Sequence, residues 1–470
     1  MKDSICHKDI SIKEALSFIN NEPAGIAFIT DVDSKLIGLI TDGDIRRLLI
    51  DGRKLDSFLK KEDYNNYVFA REGESIEKLL KEVDRRVRII PIVSKEGKLI
   101  DYFRSEHKTH YTPVAQPKLE GNEFKYLTDA LLSTWISSKG AYLDRFEKDF
   151  STFCDSSYGV ATANGTVSIH LALKALDIGI GDEVIVPDLT FAATVNPVIY
   201  TGATPVIVDV DESTWTICPE KIRTAISKKT KAIIPVHVYG QPCDMEKIMS
   251  IAKEFDLYVI EDCAEAHGAT FKGKKVGSFG HISTFSFFGN KIITTGEGGM
   301  CITNSKKLND RMKLLRDHGM STEKRYWHKE IGFNYRMTNL QAAIGCAQLE
   351  KINSILSSNN DIESTYKNKL QHLNVKWQIN QSNSNRVVWL VSILVPASKR
   401  DLIINHLQKR NIDTRKFFYC LSEMPIYKKF SQNCTKSKEI SARGINLPTV
   451  KQVDFNLVCK LIEECMSQKK

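Results

Sequence analysis

The stretch Ser283–Cys301, STFSFFGNKIITTGEGGMC, carries one lysine, Lys291, between an apolar run (Thr284–Phe288) and a Gly-Glu-Gly-Gly turn. A lysine presented just past a buried strand loses solvation, which favours the free amine and makes it a nucleophile toward an aldehyde. Most loop lysines are plain surface residues; this one gains meaning from four other groups. Asp262 ends the apolar run of YVIEDCAEAHGA, and a strand-end carboxylate can keep a pyridine nitrogen protonated. The alternatives for Asp262 are a helix cap or a metal ligand, and no matching His/Asp cluster supports a metal. Asn164-Gly165-Thr166 follows YGVATA and opens VSIHLALKAL. A helix start offers unpaired amides to an anion, and glycine permits close approach. Phe191, in DLTFAAT, could lie flat on a planar ring, and the Ser286 hydroxyl could reach the same phosphate. A loop lysine, a strand-end carboxylate, an anion-binding helix start and a stacking aromatic together match one ligand, pyridoxal 5′-phosphate (PLP).

These groups need a scaffold that brings them to one edge. Short Val/Ile-rich runs alternate with helical segments: Gly159–Ala163, Glu183–Pro187, Pro205–Val210, Lys231–Val238, Leu257–Asp262, Thr284–Phe288 and Met300–Thr303. This alternation predicts an α/β fold with a mostly parallel sheet, helices on both faces, and ligands at the carboxyl ends of the strands. Residues 356–470 resume with VVWLVSILVP, a helix over Asp401–Arg410, NIDTRKFFY and a closing helix from Val453, a smaller α+β domain packed over the site.

Residues 1–112 repeat one pattern twice. Helical Ile10–Asn20, apolar Gly25–Thr30 and KLIGLITDGDIRRLL are followed by SIEKLLKEV, VRIIPIV and KEGKLIDYFRSEH. Lys35-Leu36-Ile37 aligns on Lys98-Leu99-Ile100, and a repeat of roughly sixty residues should pack against its twin. Pro113 and Pro117, flanking Gln116 in HKTHYTPVAQPKLEG, mark a linker at 113–117.

The formal charge of +9 and 26% charged residues describe no dense basic block for nucleic acid, though they suit anionic, phosphorylated substrates. The eleven cysteines show no metal-ligand spacing and read as reduced core thiols. No run of eighteen apolar residues occurs, and the opening MKDSICHKDISIKEAL has no signal-peptide core, so a cytoplasmic location is expected.

Several longer motifs carry a family resemblance: NGTVSIHLAL, GDEVIVPDLTFAAT, HVYGQPCDM, EDCAEAHGA, STFSFFGNKIITTGEGGM, KRYWHKEIGFNYRMTNLQAAIG and RGINLP. On these, residues 118–470 resemble the fold-type I, DegT-type aminotransferases of nucleotide-linked keto sugars. WISSKGAYLDRFE, KRYWH and IDTRKFFY bring the chain nearest the branch that aminates GDP-4-keto-6-deoxymannose with glutamate. The resemblance implies a large PLP-binding domain (118–355), a small domain (356–470) and a homodimer with composite sites. It makes Lys291 the Schiff-base lysine and proton shuttle, Asp262 the partner of the ring nitrogen, and Glu265 the partner of the ring hydroxyl. Gly165, Thr166 and Ser286 would hold the phosphate, Asn334 would reach in from a second subunit, and Phe191 would stack on the ring. Sugar contacts are expected from Trp135, Ser137 and Ser138, and from Tyr326, Trp327 and His328. Arg336 either faces substrate or forms an interface salt bridge. A UDP-linked or other 3- or 4-keto sugar is the alternative substrate. One departure is Cys420-Leu421-Ser422 after Tyr419, where relatives often carry Pro-x-His. Residues 1–112 resemble a pair of CBS modules, through ITDGDIRR above all. That likeness implies an adenine nucleotide at Thr41 and Asp44, whereas Arg104 and His107 stand at those positions in the second copy.

Overall fold

The computed structural model describes residues 5–21, 25–74, 89–104, 111–321 and 323–468. The chain divides into two units, Met1–Thr109 and His110–Lys470.

In the first unit, β1 (Ile5–His7), β2 (Ile26–Thr30) and β3 (Leu36–Thr41) form one sheet, and β4 (Ala70–Arg71), β5 (Ile89–Val93) and β6 (Leu99–Arg104) form another. Each sheet pairs its first two strands parallel and its last two antiparallel. Each also breaks register at the same place, between Ile29 and Thr30 and between Ile92 and Val93. The connecting turns match bond for bond: Asp31 N–H donates to Lys35 C=O as Ser94 N–H does to Lys98 C=O. Both turns use a left-handed residue, Ser34 (φ 62°) and Gly97 (φ 86°). An antiparallel bridge joins Lys35 to Lys98, and Leu36 N–H donates to Gly97 C=O at 2.9 Å. The two copies therefore meet at the residues that align them in sequence. The helical SIEKLLKEV stretch and His107 lie outside the described residues.

The second unit is built on a seven-stranded sheet. Its strands are β7 (Tyr158–Thr162), β8 (Glu183–Pro187), β9 (Thr204–Val208), β10 (Thr230–Ile233), β11 (Tyr258–Asp262), β12 (Ile282–Ser286) and β13 (Gly299–Thr303). Their order is β7-β13-β12-β11-β10-β8-β9. Pairs from β9 to β12 are parallel, while β13 runs antiparallel to both β12 and β7. The sheet is wholly buried along β12 and β13, as expected of a sheet covered on both faces. The α/β architecture anticipated from the alternating pattern is thus observed, with β12 two residues earlier than the apolar run suggests. Phe287 and Phe288 belong to the turn that presents Lys291.

A four-stranded antiparallel sheet (Lys376–Trp377, Val391–Leu394, Gly444–Leu447, Arg415–Lys416) and its helices supply the smaller layer. One helix, Ile352–Leu370, runs through the expected 355/356 boundary. The segment around Pro113 is docked rather than loose. Thr112 bridges Ile412, the Val114 carbonyl accepts from Thr449 N–H at 2.8 Å, and Val114 is fully buried.

Candidate active site

Alternation along β11 sends Glu261 and Asp262 to opposite faces. Glu261 accepts the Gly277, Phe279 and Gly280 amides and the Ser283 hydroxyl at 2.7–2.9 Å. Burial opposes its charge, but His237 and these amides outweigh it and hold the carboxyl below its ordinary range. The Cys243 amide donates to His237 Nδ1 at 3.0 Å, so Nε2 carries the proton and faces Glu261 at 3.2 Å. His237, Glu261 and Cys263 are close enough to bind a metal. His237 and Glu261, however, already spend their lone pairs on these bonds, and the two work as a buried anchor for the end of β11.

Asp262 is less well compensated. Its Oδ2 accepts the Thr194 hydroxyl at 2.8 Å and its Oδ1 the Ala264 amide at 3.1 Å. Burial pushes its pKa up despite those bonds and the nearby Lys291. A buried carboxylate in this condition suits a cationic N–H partner. Thr194 and Phe191 come from one helix start: Phe191 precedes helix Ala192–Tyr200 and leaves its ring 60% exposed, 5.8 Å from Phe418.

Lys291 lies in the turn closed by its own N–H donating to Phe288 C=O at 2.9 Å. Its side chain is 12% exposed, and Nζ is 3.4 Å from Glu265 Oε1. Burial raises the Glu265 pKa; Lys291 and the Tyr239 amide, which donates to Oε2 at 2.8 Å, oppose the rise. Behind the lysine, Ala115–Lys118, Asn290 and Trp389 help line a cavity of about 20 Å³, room for a water but not for a pyridine ring.

Asn164 caps helix Gly165–Ala175, its Oδ1 accepting from Val167 N–H at 3.0 Å. The amides of that first turn have no intrahelical acceptor. A Cβ on Gly165 would come within 2.9 Å of Ser286 Cβ, so only glycine leaves the helix start and Ser286 in contact as one anion cradle. His267 Nε2 bonds the Ser286 carbonyl at 3.0 Å. Burial takes the pKa of that ring down to about 3.

The remaining expected residues lie around this centre. Ala163 N–H donates to Tyr335 C=O at 2.8 Å, which ties the Asn334–Arg336 segment to the end of β7. Arg336 is engaged within its own chain, with Asp317 at 2.6 Å and with Asn334 Oδ1 at 3.0 Å. Trp135, Ser137, Tyr326, Trp327 and His328 are exposed and Ser138 is half-buried. Among the described residues no hydrogen bond joins these to Lys291, Asp262 or Glu265. Thr194, Tyr239 and Trp389 were not singled out from sequence. Thr194 alone left a signal, since it lies three residues after Phe191 at the same helix start. The Ser422 departure also has a structural answer: its amide and hydroxyl bond Asp188 at 2.7 and 2.9 Å, tying the segment after Tyr419 to the end of β8.

The donor set fits PLP: an under-compensated carboxylate, a glycine-dependent anion cradle, a half-covered aromatic and a buried amine. Residues 117–464 match the DegT/DnrJ/EryC1/StrS aminotransferase family.

This chain belongs to that family.

Residues 2–51 match the CBS domain. GDP-perosamine synthase of Escherichia coli O157:H7 is 48% identical over 365 residues, 76% of this chain and 100% of that protein. Among solved structures, an aminotransferase from Psychrobacter cryohalolentis is similar with TM-score 0.70 and 32% identity, covering 75% of this chain and 98% of its own. Spr1654 of Streptococcus pneumoniae in its PLP-form is similar with TM-score 0.71 and 26% identity, covering 76% and 98%. The chain is therefore a PLP-dependent aminotransferase carrying a CBS domain at its N-terminal end.

Proposed function

We propose that the chain transfers an amino group from glutamate to C4 of GDP-4-keto-6-deoxymannose, giving GDP-perosamine for surface-polysaccharide biosynthesis in the cytoplasm. The observation that carries this reading is the convergence of Lys291, Glu265 and Asp262 at one sheet edge in a chain that resembles GDP-perosamine synthase along its whole catalytic length.

Bound PLP supplies an aldehyde carbon for an amine and a ring that accepts the electron pair left when a Cα–H bond breaks. The protein's part is positioning and proton transfer. Gly165, Thr166 and Ser286 would hold the phosphate, Phe191 would cover the ring face, Asp262 would face the ring nitrogen and Glu265 the ring hydroxyl. Asp262 thereby gains the cationic partner that its burial demands. Lys291 Nζ would take the proton from the glutamate Cα and pass it to the carbon that keeps the amino group, and in the second half-reaction would carry a proton from that carbon to C4 of the sugar. Departure of 2-oxoglutarate separates the two halves. Trp135, Ser137, Ser138, Tyr326, Trp327, His328 and Arg336 are assigned to the sugar nucleotide, with Asn334 reaching the partner's phosphate in a homodimer. Exposed Trp135, Tyr326 and Trp327 (55–74%) are consistent with surfaces that substrate or a second copy covers. In the N-terminal unit, Thr41 and Asp44 are assigned to an adenine nucleotide, supported by the CBS match over residues 2–51.

The test is incubation with glutamate, PLP and GDP-4-keto-6-deoxymannose, followed by mass spectrometry. An aminated GDP-sugar supports the proposal. Amination of a UDP-linked keto sugar alone would move the activity to another substrate, and no amination of any would overturn it.

A further inference from the structure

Lys291 is gripped from two sides, and one of them, Glu265, lies in the turn that follows β11. On the other, Nζ lies 4.0 Å from the centroid of the Trp389 ring. Trp389 comes from the smaller layer, two residues before its strand Val391–Leu394, and is 6% exposed. Its Nε1–H donates to the carbonyl of Asn290, the residue before Lys291, at 2.7 Å. One indole therefore touches both the backbone that carries the lysine and the amine at its tip. The plane of that indole is set in turn by Tyr239, nearly parallel at 12° and 6.2 Å between centroids. The Tyr239 amide bonds Glu265 Oε2. The contacts close a circuit from Lys291 through Glu265, Tyr239 and Trp389 back to Lys291. Side chains held this way lose little further freedom when they react, and a cationic amine is attracted to the face of an indole more than to that of any other ring.

We propose that Trp389 is the positioning residue of Lys291, with the indole face keeping the amine at the mouth of the cofactor site between successive reactions. This rests on the reading of Lys291 as the Schiff-base lysine, and the experiment separates the two. Cofactor-free wild type, Trp389→Phe and Trp389→Met are mixed with PLP. Appearance of the yellow adduct is followed by stopped flow, the adduct is fixed with borohydride, and its position is mapped. Methionine fills space without a ring face and should slow capture about tenfold, whereas phenylalanine should stay within about threefold of wild type. Steady-state kcat should fall in the same order with KM for glutamate unchanged. Protein carrying 5-fluorotryptophan or a trifluorinated analogue keeps the indole shape while its face loses negative charge. Capture should slow stepwise across that series, which keeps the test valid even where the methionine variant fails to fold. Equal rates for wild type and Trp389→Met, equal slowing of both variants, or no trend with fluorination would each overturn the proposal. Absence of an adduct at position 291 in wild type would instead overturn the lysine assignment.

Discussion

Two places in this chain pair a hydroxyl-bearing or basic residue with a carboxylate at the end of a strand, and they use the pair in opposite ways. In the N-terminal unit, Thr41 caps helix Asp42–Ile50, and Asp44 closes a reciprocal box: Thr41 N–H and Oγ1–H both donate to Asp44 Oδ2, and Asp44 N–H returns to Thr41 Oγ1. Arg47 takes the other carboxylate oxygen at 2.5 Å. Both oxygens of the Asp44 carboxylate and the Thr41 hydroxyl thus have partners within the chain. In the catalytic unit the polar groups fall short of partners. Asp262 has two donors for a buried charge, and Asn290 Oδ1 and His267 Nδ1 are buried with none. Unspent bonding capacity in a buried place costs stability, and at Asp262 a cationic ligand would recover it. The same motif grammar is therefore closed on its own helix start in one unit and left open toward a ligand in the other.

Four substitutions sharpen or break that contrast. Lys291→Ala should lower turnover by more than about a thousandfold, since the proposed mechanism routes both proton transfers through its amine. Product formation by mass spectrometry is the readout, and activity within tenfold of wild type would remove the site from consideration.

Asp262→Asn should cost about a hundredfold or more in kcat, and it should also stabilise the cofactor-free protein. A carboxyl whose folded pKa is raised contributes stability that is present below its unfolded value and is lost as pH rises through the folded one. The asparagine variant should accordingly melt higher than wild type at pH 7, with the gap closing toward pH 4. Identical melting at both pH values would show that Asp262 is not strained by burial.

Glu261→Ala should do the reverse. Removing a buried acceptor of three amides and a hydroxyl should cost about 3–5 kcal/mol. Because that carboxyl titrates below its ordinary range, the stability it confers is lost as pH falls, so the deficit should shrink in acid. Chemical denaturation of the cofactor-free protein measures both. The smallest effect belongs to Thr41→Ala, which should cost the N-terminal unit about 1 kcal/mol and leave basal turnover unchanged. If calorimetric titration of the full chain with an adenine nucleotide gives heat in wild type and none in this variant, the cap doubles as a binding site and the contrast between the units narrows.

Much of the candidate site was legible because its signals are local. Val/Ile-rich strands ending in Asp262 or running into Lys291, and a glycine at a helix start, keep their meaning without knowledge of what packs on them. Glu183–Pro187 was bounded correctly because turn residues flank it on both sides. The antiparallel direction of β13 was not legible, since its residues alternate no differently from those of a parallel strand. Trp389 was hidden for a related reason: within VVWLVSILVP an indole reads as one more core residue, and only the fold shows that its polar edge meets Asn290 and its face meets Lys291. Thr194 and Ser422 likewise gain their roles from partners far off in sequence, Asp262 and Asp188. In the N-terminal unit the repeat was plain, because the alignment of Lys35 with Lys98 is itself the point where the copies touch.

The most direct test of the central claim is borohydride reduction of the PLP-loaded protein followed by peptide mapping. The proposed assignment calls for a single reduced pyridoxyl group on the peptide containing Lys291, with the yellow absorbance bleached in step. A colourless protein, or a label on any other lysine, would contradict it.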